Sequence, residues 1–104
     1  MGLPTVSGDR GYVEERRVHP RRRVLKRVKA VFNANNSVMD CVMRDVSLGG
    51  ARLSCSQAAL LPDNFRLVFI AEREVRDVRV AWRGLSEVGV QFMSPPQKAP
   101  YLFP

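Results

Sequence analysis

Histidine, cysteine and long apolar runs are all scarce in this 104-residue chain, and each scarcity excludes something. His19 is the only histidine and stands among arginines, a poor place for a bound cation. Cys41 and Cys55 are the only cysteines, with no third ligand nearby, so no metal site is expected. The N-terminus has no apolar stretch of the secretory kind, so a disulfide staple is not expected either. Both cysteines read as small, buried, reduced strand residues. A Cys–His nucleophile pair would lack an acid or amide to orient it. No run of roughly eighteen apolar residues occurs, which excludes a membrane-spanning helix. Met1-Gly2-Leu3-Pro4-Thr5-Val6 places Val where a myristoylation signal wants Ser or Thr. These absences predict a cytoplasmic chain without membrane insertion that binds rather than catalyses, with no cofactor and no metal.

Cationic charge, by contrast, is plentiful and unevenly placed. Seventeen Lys and Arg against ten Asp and Glu give a net charge of +7. Residues 10–29 hold nine cations, from Arg10 to Lys29, against Glu14 and Glu15, so this one segment carries the whole net charge. Such a run is either a solvated arm or the contact surface for an anion: nucleic acid, a nucleotide or a membrane surface. The length allows one small domain with one core.

Residues 1–13 have three glycines, a proline and no apolar period, and read as a flexible tail. Pro20 interrupts the basic segment and biases it towards extended or turn-like backbone. From Val24 onward the apolar period is two. Val28, Ala30 and Phe32 form one set, followed by Asn35-Asn36, a pair suited to a tight turn. Met39, Cys41 and Met43 alternate within Val38–Val46, and Ala51, Leu53 and Cys55 follow the Leu48-Gly49-Gly50 break. Phe65, Leu67 and Phe69 form a fourth set. Val78, Val80 and Trp82 form a fifth, and Val88, Val90 and Phe92 complete the series after a Gly84–Glu87 turn. Six short strands between turn signals predict an all-β fold, a small six-stranded antiparallel β-barrel with a basic N-terminal arm and little or no helix. The one helical candidate, Ser56–Leu61, is about one turn long and ends at Pro62. The predicted organisation is a tail over 1–13, a barrel with its arm over 14–94, and a proline-rich tail over 95–104 that ends in the apolar Tyr101-Leu102-Phe103. Trp82 and Phe92, in phase with Val80 and Val90, read as core.

Two local patterns carry chemistry. Arg16-Arg17-Val18-His19-Pro20-Arg21 contains R-x-x-x-R preceded by a further arginine. With fourteen arginines, about two such spacings arise by chance. Asp45-Val46-Ser47-Leu48-Gly49-Gly50 reads D-x-S-x-x-G at a joint between two strands. That pattern is expected only on the order of 0.02 times in a chain of this length. In this order, ahead of a short β-barrel, the two resemble the PilZ domain family, from about Glu15 to Met93. Val80-Ala81-Trp82-Arg83 and Val88-Gly89-Val90-Gln91-Phe92 look like that family's closing strands. The resemblance implies a bacterial receptor for cyclic di-GMP. It implies ligand binding by Arg17 and Arg21 of the first motif and by Asp45, Ser47 and Gly50 of the second. It implies that Arg16, just before the first motif, goes with a stacked pair of ligand molecules, and that the output is to an unidentified downstream protein. The chain departs from many such domains after Met93, where a helix is replaced by a proline-rich stretch.

The residue types suit that ligand on physical grounds. Guanine presents O6 and N7 as paired acceptors to a guanidinium fork, which also stacks on purine faces. A carboxylate complements the N1–H and N2–H₂ donors on the other edge, and Asp45 is placed to accept from both. Ser47 offers a hydroxyl to phosphate or base amine, and Gly50 allows a positive φ or a close backbone approach. A mobile arm over residues 10–23 would then close on a ligand lying against a rigid barrel wall. Plainer readings stand beside these. Asp45 and Ser47 would equally serve to cap a turn, Gly49-Gly50 to form a bulge, and Arg22, Arg23 and Arg27 to face solvent. A nucleic-acid-binding barrel with a basic arm explains the charge but leaves D-x-S-x-x-G without a purpose. A ligand-free protein-interaction module leaves both motifs without one.

Overall fold

The structure, a computed structural model, describes residues 20–99. Six strands form the barrel: β1 (Arg22–Phe32), β2 (Ser37–Val46), β3 (Gly50–Cys55), β4 (Asn64–Phe69), β5 (Glu74–Arg83) and β6 (Glu87–Phe92). A two-residue strand, β7 (Gln97–Lys98), follows. All pairings are antiparallel, and the spatial order β4-β1-β2-β3-β6-β5 closes on itself through β4 and β5. The connection from β3 to β4 crosses one end of the barrel. Its single 3₁₀ turn, Ala58–Leu60, is the short helical turn foreseen before Pro62, and Ala58 and Leu61 are buried there as a plug.

The period-two sets explain the closure. Val28 and Ala30, Cys41 and Met43, Ala51 and Leu53, Phe65 and Leu67, and Val88 and Val90 all point inward into one core. Phe92 packs against that core with its ring centroid 6.2 Å from Phe69, while the Arg76 guanidinium lies 3.9 Å over its outer face. Closing the sheet leaves no long unpaired edge among these strands.

Turn chemistry differs from the sequence reading at one hairpin. The β1–β2 loop is Asn33–Asn36, closed by Asn36 N–H donating to the Asn33 carbonyl at 3.0 Å. Positive φ falls on Asn33, Ala34 and Asn35, not on Asn36. Asparagine tolerates that region, and Ala34 is carried through it by its neighbours. The strand also begins earlier than the apolar alternation: Arg22 and Arg23 already pair with Val46 and Asp45. After β6 the backbone runs beside β5, through Met93 N–H to the Asp77 carbonyl (2.8 Å) and Ala99 N–H to the Arg73 carbonyl (2.9 Å). Tyr101–Phe103 lie outside the described residues.

Three β-bulges break strict alternation. One sits in β1 between Arg23 and Lys26. In β2, Met43 faces Leu53 and Asp45 faces Arg52, so Arg44 is the extra residue. In β5, Val80 faces Val90 and Trp82 faces Gly89, so Ala81 is extra. An extra residue reverses which face every later side chain takes. The second and third bulges decide what the outer wall carries.

Candidate functional site

Had β2 kept its alternation, Asp45 would follow Met39, Cys41 and Met43 into the core. The Arg44 bulge turns it outward and sends Val46 against the core instead. Asp45 thereby joins an outer row that crosses five strands: Arg23, Asp45, Arg52, Gly89, Trp82. Each of the four steps is one strand spacing, about 4.8 Å.

Trp82 corrects the sequence reading. The tryptophan is not core; it is 43% exposed. The Ala81 bulge takes it out of phase with Val80, and its indole lies over Gly89 on β6, where any Cβ would collide with the ring. Gly89 is therefore the opening that lets an aromatic ring lie flat against the wall. Neither fact is visible in the apolar alternation.

Asp45 is half-buried and holds two cations. Arg21 Nη1 donates to Oδ1 at 2.5 Å, and Arg52 Nε donates to Oδ2 at 2.9 Å. Arg52 Nη1 also donates to Glu87 Oε2 at 2.6 Å. Burial works to raise the Asp45 carboxyl, but hydrogen bonds and charge from Arg52 and Arg21 outweigh it, and its pKa lies below the usual value. The Asp45 hydrogen bond in turn raises Arg52, against the effect of desolvation. The result is a chain of alternating charge, Arg21–Asp45–Arg52–Glu87, laid over β2, β3 and β6. Arg52 and Glu87 were missed at the level of sequence. The signal for Arg52 was polarity at an alternate position of an apolar strand, which every solvent-facing strand residue shares, and Glu87 read as the end of the Gly84–Glu87 turn, whereas it begins β6.

The segment from Ser47 to Gly50 is a tight turn. Ser47 N–H donates to the Gly50 carbonyl at 2.8 Å, and Ser47 Oγ accepts from Gly49 N–H at 3.2 Å. The hydroxyl itself lies 3.4 Å from the Gly50 carbonyl oxygen. Ser47 thus caps its own turn, one of the plainer readings, while Asp45 spends its carboxylate on arginines. No described glycine has a positive φ, so Gly50 does not use that freedom. It is buried, and a Cβ there would collide with the Val90 carbonyl. The close approach that Gly50 permits is between β3 and β6.

Of the residues singled out in the sequence, Arg21, Asp45, Ser47 and Gly50 are brought together at one end of β2 and β3, and Arg21 reaches Asp45 across 24 residues. Arg16 and Arg17 lie outside the described residues. Arg22, Arg23 and Arg27 are exposed. Among the described residues no cluster of three His, Cys, Asp or Glu is placed to hold a metal ion, and no helix is long and apolar enough to cross a membrane.

A comparison with curated proteins returns no match. A family model, that of the PilZ domain, matches residues 15–100, a span that includes both motifs and every strand of the barrel. By this match, together with the closed barrel and the two motifs, the chain belongs to the PilZ domain family.

Proposed function

We propose that this PilZ domain is a cyclic di-GMP receptor module, not an enzyme, acting in the cytoplasm and signalling to a partner protein. The observation that carries the reading is the Arg21–Asp45 contact, because it joins the arginine motif to the D-x-S-x-x-G motif on the outer wall. Both oxygens of Asp45 are occupied by arginines. A guanine edge with two donors, N1–H and N2–H₂, replaces those guanidinium donors in kind. Arg21 is the more exposed of the two arginines and the one released. It then turns to O6 and N7 or to a phosphate, joined by Arg17 of the arm. Arg16 serves a second, stacked ligand molecule. Ser47 keeps a lone pair for a base amine, and its turn sets the wall against which the ligand lies. Gly50 contributes through the β3–β6 approach that keeps this wall flat. The indole of Trp82 adds an aromatic face in the same row.

Isothermal calorimetry tests this reading. Cyclic di-GMP is expected to bind, and cyclic di-AMP far more weakly, since adenine carries an amino donor where guanine has O6, against the guanidinium fork. Equal affinity for the two cyclic dinucleotides overturns the guanine-reading role. Binding of short oligonucleotides that exceeds that of cyclic di-GMP, and weakens steeply with salt, establishes the nucleic-acid reading in its place.

A further inference from the structure

Cys41 and Cys55 take no part in the outer wall. They face each other across the β2–β3 ladder as direct register partners, and both point into the core, 4% and 2% exposed. Their sulfurs lie 2.8 Å apart. That is closer than the roughly 3.5–4.0 Å at which non-bonded carbon atoms settle. Directly opposed residues on antiparallel strands have Cα atoms about 4.5–5.5 Å apart, within the span a disulfide bridges. The sulfurs need only approach by about 0.8 Å to reach bonding distance. A cleft of about 300 Å³, lined by Arg27, Lys29, Asp40 and Ile70 among others, opens onto Cys41 from outside.

We propose that Cys41 and Cys55 are a redox pair that hydrogen peroxide converts, in the folded barrel, into a cross-strand disulfide. The oxidant must be small because both sulfurs are buried, which excludes a bulky disulfide such as glutathione disulfide. The cleft reaches Cys41 and does not touch Cys55, so Cys41 is the sulfur that peroxide meets first and the first nucleophile once deprotonated. Its thiolate attacks one peroxide oxygen, the O–O bond breaks, and a sulfenic acid and hydroxide result. Cys55 sulfur then attacks the Cys41 sulfur, the S–O bond breaks, and the disulfide forms. The protons of the two thiols, with the two hydrogens and two oxygens of peroxide, leave as two waters. Two electrons pass from the sulfurs to peroxide. The new bond encloses residues 42–54, the whole Asp45–Gly50 turn included, and fixes the two strands that flank it. This inference does not depend on which ligand the outer wall takes.

The test uses the full chain. Folded protein is treated with hydrogen peroxide, then denatured and alkylated at once, and its mass is measured. The expected product is a monomer lighter by two hydrogens, with neither cysteine alkylated, that returns to two alkylated thiols after dithiothreitol. Cys55→Ala is expected to abolish the cross-link and leave Cys41 oxygenated. Made in the native register, the bond is expected to raise the thermal unfolding midpoint by about 15 °C, from the loop entropy it removes. The proposal is overturned if both cysteines remain open to alkylation, if the linkage joins two chains, or if the cross-linked barrel unfolds at a lower temperature than the reduced one.

Discussion

At the scale of single residues, the outer wall turns on groups that look alike in sequence and differ in surroundings. Asp45 is the discriminating residue. Plain attraction of phosphate would improve if its negative charge were removed, whereas reading of a guanine edge would be lost. Asp45→Ala is therefore expected to weaken cyclic di-GMP binding, and calorimetry on the folded variant decides between the two. Arg21→Ala removes a fork and a charge, and a loss of about 1.5–3 kcal/mol is expected, the scale of charge-assisted hydrogen bonds. That is roughly ten- to a hundredfold in affinity. Trp82 behaves differently from a core residue. With 43% of its surface exposed, Trp82→Ala is expected to leave the barrel folded, without the roughly 3–5 kcal/mol that truncating a buried tryptophan costs. Loss of a stacking face is expected to cost about 1–3 kcal/mol of ligand binding. Denaturant unfolding alongside calorimetry separates the two effects. Trp82 is also the only tryptophan, so its fluorescence in the unmodified chain reports on the wall alone.

At the scale of elements, the bulges and turns matter more than strand propensity. The extra residues Arg44 and Ala81 each reverse the phase of a strand end, and so place Asp45 and Trp82 in one row on the same wall. Two substitutions of opposite sign probe the neighbouring backbone. Gly50→Ala puts a Cβ into the Val90 carbonyl between β3 and β6. Backbone there has little room to give, and a loss of about 1–3 kcal/mol in unfolding free energy is expected. Arg73, by contrast, stands at φ 55° in the β4–β5 turn, where any side chain is strained. Its N–H donates to the Ile70 carbonyl at 3.3 Å and needs no side chain to do so. Arg73→Gly is expected to stabilise the barrel by about 1 kcal/mol. Urea unfolding measures both, and the same sign for both variants would contradict this account of the backbone.

At the scale of the whole molecule, ion pairs knit the barrel and make it sensitive to acid. The Lys29 hydrogen bond holds Asp40 below its usual carboxyl value. Lys26 does the same for Glu72, joining β1 to the β4–β5 turn. At Asp45, burial opposes the shift but Arg52 and Arg21 outweigh it. All three carboxyls thus release their protons more readily in the folded chain than in the unfolded one. Their contribution is complete above the unfolded values, about pH 4–4.5. It fades as the pH falls through the lower folded values, because the unfolded chain then binds more protons. The urea midpoint is expected to hold steady near neutrality and to drop below about pH 4. Asp45→Asn is expected to lower the midpoint at neutral pH and to differ less from the parent chain in acid. An unchanging gap between the two down to about pH 2 would assign the effect to something other than that ionisation.

The sequence by itself determined the all-β class, the number of barrel strands and most of their inward faces, because period-two apolar sets have only one way to bury themselves. It also determined the two motifs, since D-x-S-x-x-G at a strand joint is rare enough to stand out. Only the tertiary structure decided which way the ends of β2 and β5 face. A bulge is a mismatch between partner strands, and no single strand records the count of residues opposite it. For the same reason Trp82 read as core and stands on the wall, while Arg52, which only filled a polar position between Ala51 and Leu53, binds Asp45, and Glu87, which read as the end of a turn, begins β6 and binds Arg52. Gly50 read as free to take a positive φ or to let the backbone come close to a ligand, and the close approach it makes is to the Val90 carbonyl on β6. Pairing across distant strands set these outcomes, and local sequence carries propensity without register.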